Sequence, residues 1–277
     1  MGNRVVGVYE YGDPSGAPVF AFHGTPSCGA GFAWADGPAK ERGLRVVAPD
    51  RPGVGRSTRA RWTVAGYPEH VVALADAMGI ERFAVWGYSG GGPYAVACAA
   101  LLPERVSAVA VSAGMGQMGV WAQADDFEKT DRQLLGLSRR WPGLARLVLG
   151  TTARLAKLSP KSAVKSFEKE LSPADREVTP TLGSPAETIA LFTEAFTNGA
   201  YGVVADYLAI AEPWGLDLES ITVPMTIWHG DEDTMVPLRH SEELARRVGT
   251  ATMTVWPHAG HLGTITHVAE ILDALRR

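Results

Sequence analysis

Ser89 lies in Gly87-Tyr88-Ser89-Gly90-Gly91, a G-x-S-x-G pentapeptide, and is the residue best placed by its neighbours for nucleophilic chemistry. A serine hydroxyl is a poor nucleophile until a base removes its proton, and the base needs a third group to fix its tautomer. Two later stretches supply such groups, His229-Gly230-Asp231-Glu232-Asp233 and His258-Ala259-Gly260-His261. Either Asp231 or Asp233 could be the acid, and either His258 or His261 the base. These residue types together point to acyl transfer through a covalent serine intermediate.

The serine needs an element on each side of it. Ala84-Val85-Trp86 reads as a short buried strand, and Pro93 opens an Ala-rich helix that runs to Leu102. A turn this sharp holds the serine in a strained backbone conformation. Glycines two residues to either side are required because a Cβ there would strike the neighbouring strand or helix. The turn also sets the Gly90 N–H at a helix N-terminus, where the dipole favours developing negative charge.

Apolar runs predict further strands at Val5–Tyr9, Val19–Phe22, Leu44–Ala48, Val106–Val111, Met225–His229 and Thr252–Trp256. Helices are predicted at 30–42 (interrupted by Gly37-Pro38), Glu69–Met78, Leu238–Val248 and Ile265–Arg277. This alternation demands right-handed crossovers and a mainly parallel, doubly wound α/β sheet. Sites in such open sheets lie at the carboxyl ends of the strands, which brings the three candidate loops to one edge. From Gly114 to about Ala211 no strand signal occurs, and Pro142, Pro160, Pro173, Pro180 and Pro185 punctuate helical stretches. That is too long for a loop in a compact domain, so a helical insertion is predicted. The chain then divides into a first core part at 1–113, a helical cap at 114–215 and a second core part at 216–277.

The 277 residues, 46% hydrophobic and 20% charged, suit one large α/β domain with an insertion. A net charge of −4 offers no electrostatic case for nucleic acid or an anionic membrane. No apolar run approaches the roughly 20 residues of a membrane span, and Met1–Val6 lacks a signal-peptide core. Cys28 and Cys98 read as lone thiols, which fits a reducing cytoplasm. His258-x-x-His261 comes nearest to a metal-ligand spacing but has no carboxylate or cysteine set beside it, so neither metal nor cofactor is expected. The expected partner is a small-molecule substrate, and the oligomeric state is not legible.

Five motifs carry a resemblance: HGTP at 23–26, DRPGVGRS at 50–57, GYSGG at 87–91, GDEDTMVP at 230–237 and GH at 260–261. With them the chain resembles an α/β-hydrolase fold serine hydrolase with a cap, over nearly its whole length. The resemblance implies Ser89 as nucleophile, Asp233 as acid and His261 as base, with the backbone N–H groups of Thr25 and Gly90 as oxyanion hole. Relatives with an aspartate nucleophile are disfavoured, because a serine stands at that position. His23, Tyr88, Trp121 and Trp141 are candidates for the substrate pocket, with Trp34 and Trp62 as further tryptophans that either line it or are plain core. Asp50 and Arg51 read as a structural turn and Cys28 as an inert thiol. The implied activity is hydrolysis of a carboxylic ester or related acyl bond. The alternatives are a C–C bond hydrolase or perhydrolase using the same triad, or a ligand-binding receptor with slow or no turnover.

Overall fold

The computed structural model describes residues 4–126 and 129–276. Seven strands form one sheet: β1 Val8–Gly12, β2 Ala17–Phe22, β3 Leu44–Pro49, β4 Phe83–Tyr88, β5 Val106–Ser112, β6 Met225–Gly230 and β7 Ala251–Trp256. Their spatial order is β1-β3-β2-β4-β5-β6-β7. Strand β1 runs antiparallel to β3, and every other neighbouring pair is parallel. The strand expected at Val5–Tyr9 is therefore displaced to Val8–Gly12, because Val8 to Gly12 is the stretch that registers on Pro49 to Arg45.

Alternate residues of one strand serve opposite faces of the sheet. Phe20 and Phe22 pack with Val85, Val109 and Val111 on one side, while Val19 and Ala21 pack with Trp86, Ala110 and Trp228 on the other. Burial on both faces is why these strands read as unbroken apolar runs rather than alternating ones.

The flanking helices are α1 Asp36–Glu41, α2 Tyr67–Ala77 and α3 Gly92–Leu101. The stretch 30–42 is split earlier than Gly37-Pro38 suggests: a 3-10 turn covers Gly29–Ala35, and Gly37 and Pro38 sit in the first turn of α1, where proline costs no intrahelical hydrogen bond. Between β5 and β6 lie α4 Lys129–Arg140, α5 Pro142–Leu158, α6 Pro160–Glu168, α7 Pro173–Val178, α8 Pro185–Glu194 and α9 Tyr201–Ala211. No strand occurs there among the described residues beyond an isolated bridge between Met118 and Ala122. Four of the five punctuating prolines, Pro142, Pro160, Pro173 and Pro185, open helices, because the first turn needs no donor from them.

After β6 come α10 Arg239–Arg247, α11 Gly263–Thr266 and α12 Val268–Ala274. The single helix expected at Ile265–Arg277 is thus two helices, broken at His267, and Arg277 lies outside the described residues, as do Met1–Asn3. None of the described helices is long and apolar enough to cross a membrane.

Candidate active site

Ser89 follows the last residue of β4 and has a left-handed backbone, φ 54°. A non-glycine residue there is held by its surroundings, and the glycines show how. A Cβ on Gly91 would lie 1.9 Å from the Phe22 carbonyl oxygen, and one on Gly87 would lie 2.6 Å from the Gly91 carbonyl oxygen. Helix α3 therefore starts directly against the ends of β2 and β4.

His261 stands in the loop after β7 and Asp233 in the loop after β6. The His261 Nδ1 is 2.8 Å from Asp233 Oδ2. The other Asp233 oxygen accepts the Met235 and Val236 N–H groups, each at 2.9 Å. This arrangement puts the His261 proton on Nδ1 and leaves Nε2 as the acceptor facing the cavity. Burial would raise the Asp233 carboxyl, but His261 and a hydrogen bond from His229 outweigh it and hold the group well below the usual carboxylate range. Burial would likewise lower His261, and the Asp233 carboxylate beside it raises it above 6.5 instead. The pair stays a carboxylate and an imidazole of raised basicity. Ser89 and His261 line the same cavity, although no hydrogen bond joins them among the described residues; such bonds often tighten only with substrate in place.

The rival residues face elsewhere. The His258 side chain is 90% exposed and pairs with Glu232, and Asp231 lies exposed in the turn. His229 is fully buried, with Nδ1 2.7 Å from Ser241 Oγ and Nε2 2.8 Å from the Val236 carbonyl and 3.2 Å from Asp233. It braces the Asp233 loop from behind, donating from Nε2. Burial pushes the Cys28 thiol up to about 12, so it is inert at neutral pH.

Thr25 packs against Gly90: a Cβ on Gly90 would stand 3.2 Å from the Thr25 nitrogen. What fixes the Thr25 loop is a buried cluster. Arg51, fully buried, donates to the carbonyls of His23 at 2.6 Å and Gly24 at 3.0 Å and to Thr25 Oγ1 at 3.1 Å. Its guanidinium also forms a two-pronged pair with Asp206 of α9, at 2.8 and 2.5 Å. Asp206 accepts further hydrogen bonds from Tyr94 Oη, at 2.6 Å, and from Thr25 Oγ1. Asp50 accepts the Gly29 and Arg56 N–H groups, so the DRPGVGRS stretch serves structure, as its glycines suggest.

A second cap carboxylate reaches the histidine loop. Asp175 of α7, fully buried, accepts the His261 N–H at 3.0 Å and the Leu262 N–H at 2.6 Å. Gly260 leaves it room, since a Cβ there would meet the carboxylate at 2.3 Å.

Of the pocket candidates, Tyr88 lines the cavity and donates through Oη to the His261 carbonyl at 3.2 Å. His23 is buried behind the loop with Nδ1 2.8 Å from the Gly24 carbonyl, outside the lining. Trp121 is core, edge-on to Trp214, and Trp141 is 59% exposed on the outer surface. Neither lines the cavity; Trp34 does.

The cavity measures about 370 Å³ and is walled by Leu134, Leu149, Phe167, Ile189 and Phe192 from the inserted helices and by Phe196 just after α8. A smaller recess of about 30 Å³ also borders Ser89, among Met115, Met118, Leu135 and Ile210, and does not touch His261. Neither space has a Lys or Arg among its described lining residues, whereas Asp131 borders both and accepts from Tyr207 Oη at 2.6 Å.

A sequence profile described as alpha/beta hydrolase fold matches residues 17–268. The chain belongs to the alpha/beta hydrolase family. Among curated relatives, this hydrolase is 29% identical over 259 residues to the 2-hydroxymuconate semialdehyde hydrolase of Pseudomonas putida, covering 91% of this chain and 83% of that one. It is 27% identical over 258 residues to the 2-hydroxy-6-oxo-2,4-heptadienoate hydrolase of Pseudomonas putida F1, covering 89% and 83%. The solved enol-lactonase of Burkholderia xenovorans LB400 superposes with a TM-score of 0.70 at 20% identity, covering 98% of this chain and 95% of that one. At that identity the likeness shows the fold alone.

Proposed function

We propose that this hydrolase cleaves uncharged, apolar carboxylic esters through Ser89, His261 and Asp233. Ser89 Oγ attacks the ester carbonyl as its proton passes to His261 Nε2, and the Thr25 and Gly90 N–H groups receive the oxyanion. The intermediate collapses with transfer of that proton from His261 to the leaving oxygen, which departs as the alcohol. Water, deprotonated by His261, then attacks the acyl-serine, and the acid leaves as Ser89 regains its proton.

The observation that carries the choice of substrate is the cavity, apolar and without a Lys or Arg among its described lining residues. A carboxylate buried there would lack a counter-ion and would face Asp131. The two spaces divide the substrate further. The leaving oxygen takes its proton from His261, so the alcohol part belongs in the large cavity that His261 borders. The acyl part then points into the small recess, which suits a short chain.

The test is a panel of esters on wild type beside Ser89→Ala. Acetates of bulky apolar alcohols should be turned over fastest, and long-chain acyl methyl esters slowly. An organophosphonate should label Ser89 alone. Label elsewhere, or none on folded protein, defeats the serine mechanism; a preference for long acyl chains defeats the division of the pocket. The second reading is C–C bond hydrolysis by the same residues, which the two curated relatives favour. The compounds in their names are carboxylates. A higher kcat/KM on a carboxylate-bearing dienol ketone than on any ester would select it.

A further inference from the structure

We infer that the outer face of α5 docks this hydrolase onto a lipid bilayer surface rich in anionic headgroups. Helix α5 has 17 residues, about 26 Å of helix. At 3.6 residues per turn, Trp141 just before it and Leu144, Leu147, Val148, Leu155 and Leu158 fall within one stripe about a third of the circumference wide. All six are exposed, Leu147 at 66%, Leu155 at 60% and Leu158 at 79%. The opposite face is sealed: Ala145, Leu149 and Ala153 are buried, and Leu149, Thr152, Ala153 and Ala156 wall the active-site cavity. A helix with one face in the core and a second, equally apolar face in water marks an interaction surface.

Charge selects the occupant. From Arg132 to Phe167 the chain has eight Lys or Arg and no Asp or Glu, a formal +8 against −4 for the whole chain, so the remainder carries −12. All eight basic residues are exposed; at 100° per residue Arg154 stands about 20° outside the apolar stripe, with Lys157 and Arg146 about 80° and 100° outside it on the same side. The whole-chain charge averages over this segregation. An apolar stripe bordered by cations, with a tryptophan at its end, is the pattern of a helix lying in a bilayer interface among anionic headgroups. The Arg140 guanidinium already sits 5.4 Å from the Trp141 ring centre, pairing the two residue types such an interface takes up. A second copy of this chain fits less well, since a two-fold contact through α5 would bring two +8 stretches together. A nucleic acid would neutralise the charge but leave the leucines in water.

The test is flotation with vesicles of phosphatidylcholine alone and of phosphatidylcholine with phosphatidylglycerol in equal parts. Wild type should partition onto the anionic vesicles only, and less as salt rises. Leu147→Ser/Leu155→Ser should weaken that partition at least about tenfold, and Arg154→Gln/Lys157→Gln on the order of tenfold. These four side chains are exposed and outside the cavity lining, so turnover of a short soluble ester and the far-ultraviolet circular dichroism should match wild type in both variants. Absence of wild-type binding to anionic vesicles overturns the proposal, as does equal binding by the variants. A concentration-dependent dimer abolished by Leu147→Ser/Leu155→Ser, with vesicle binding untouched, would also overturn it and give the face to a second copy.

Discussion

The sheet and the inserted helices solve opposite problems. Around Ser89 the backbones are so close that a single added Cβ meets a carbonyl oxygen at 1.9 Å, and the serine is held by exclusion. Along α5 and at Trp141 just before it, six large apolar side chains are between 40% and 79% exposed. Yet the slack region is what completes the rigid one. Two cap carboxylates, Asp206 and Asp175, are the buried acceptors on which the Thr25 loop and the His261 loop rest. Precision in this fold comes from steric contact where the chain is close-packed and from buried charge where one layer must grip another.

That contrast can be broken in steps. Ser89→Ala should lower kcat on a short aryl ester about 10⁶-fold while leaving the fold intact, as loss of a triad serine does elsewhere. A residual rate within a hundredfold of wild type would move the chemistry off the elbow. Asp233→Asn should cost about 10⁴ in kcat, because an amide cannot hold the His261 tautomer. Asp231→Asn, exposed and unconnected to His261, should stay within a fewfold of wild type.

The grip between layers is tested by Asp206→Asn. It leaves the Arg51 charge buried without its carboxylate, which should destabilise the protein by about 3 kcal/mol in urea unfolding. A loss below about 1 kcal/mol would mean that Arg51 is held by the loop carbonyls alone. Asp175→Asn should act more gently, on the pH profile. In the proposed mechanism His261 accepts the serine proton only when neutral, and its basicity is raised above 6.5 against the opposing effect of burial, first by Asp233, then by Asp175 and Asp131. The acidic limb of kcat/KM should therefore lie above pH 6.5 in wild type and move to lower pH in Asp175→Asn. An unmoved limb with a lower plateau would reduce Asp175 to a purely structural clamp. The smallest effect belongs to Trp141→Ala, outside the cavity and 59% exposed, which should change kcat/KM on a soluble ester less than about twofold.

The elbow was legible because close backbone approach excludes every residue but glycine, and that constraint is written locally at Gly87 and Gly91. Strands buried on both faces were legible for the same kind of reason, since they carry few polar residues. Strand β1 was misplaced because its register is set by pairing with β3, not by its own residues. The roles of Asp206 and Asp175 went unread for two different reasons. Asp206 left a trace, a lone acid in the apolar helix Tyr201–Ala211, which signals a buried partner without naming it. Asp175 left a misleading one: Ser172-Pro173-Ala174-Asp175 reads as a helix start, and Ser172 does accept the Asp175 N–H. The carboxylate's second task, on the far loop, has no local signature. Tryptophans were no guide to the pocket, because whether Trp34, Trp121 or Trp141 lines it is decided by tertiary surroundings.

The Arg51–Asp206 pair also limits how this enzyme can be recombined. Cutting after β5 and before β6 releases the inserted helices for exchange with those of another family member. Such a graft would arrive without a carboxylate above Arg51 unless its own last helix carried one in register, and the recipient would keep a buried cation with no counter-charge. The transferable unit is therefore the helices together with the arginine and the Thr25 loop beneath them, three segments distant in sequence that have to be swapped as one.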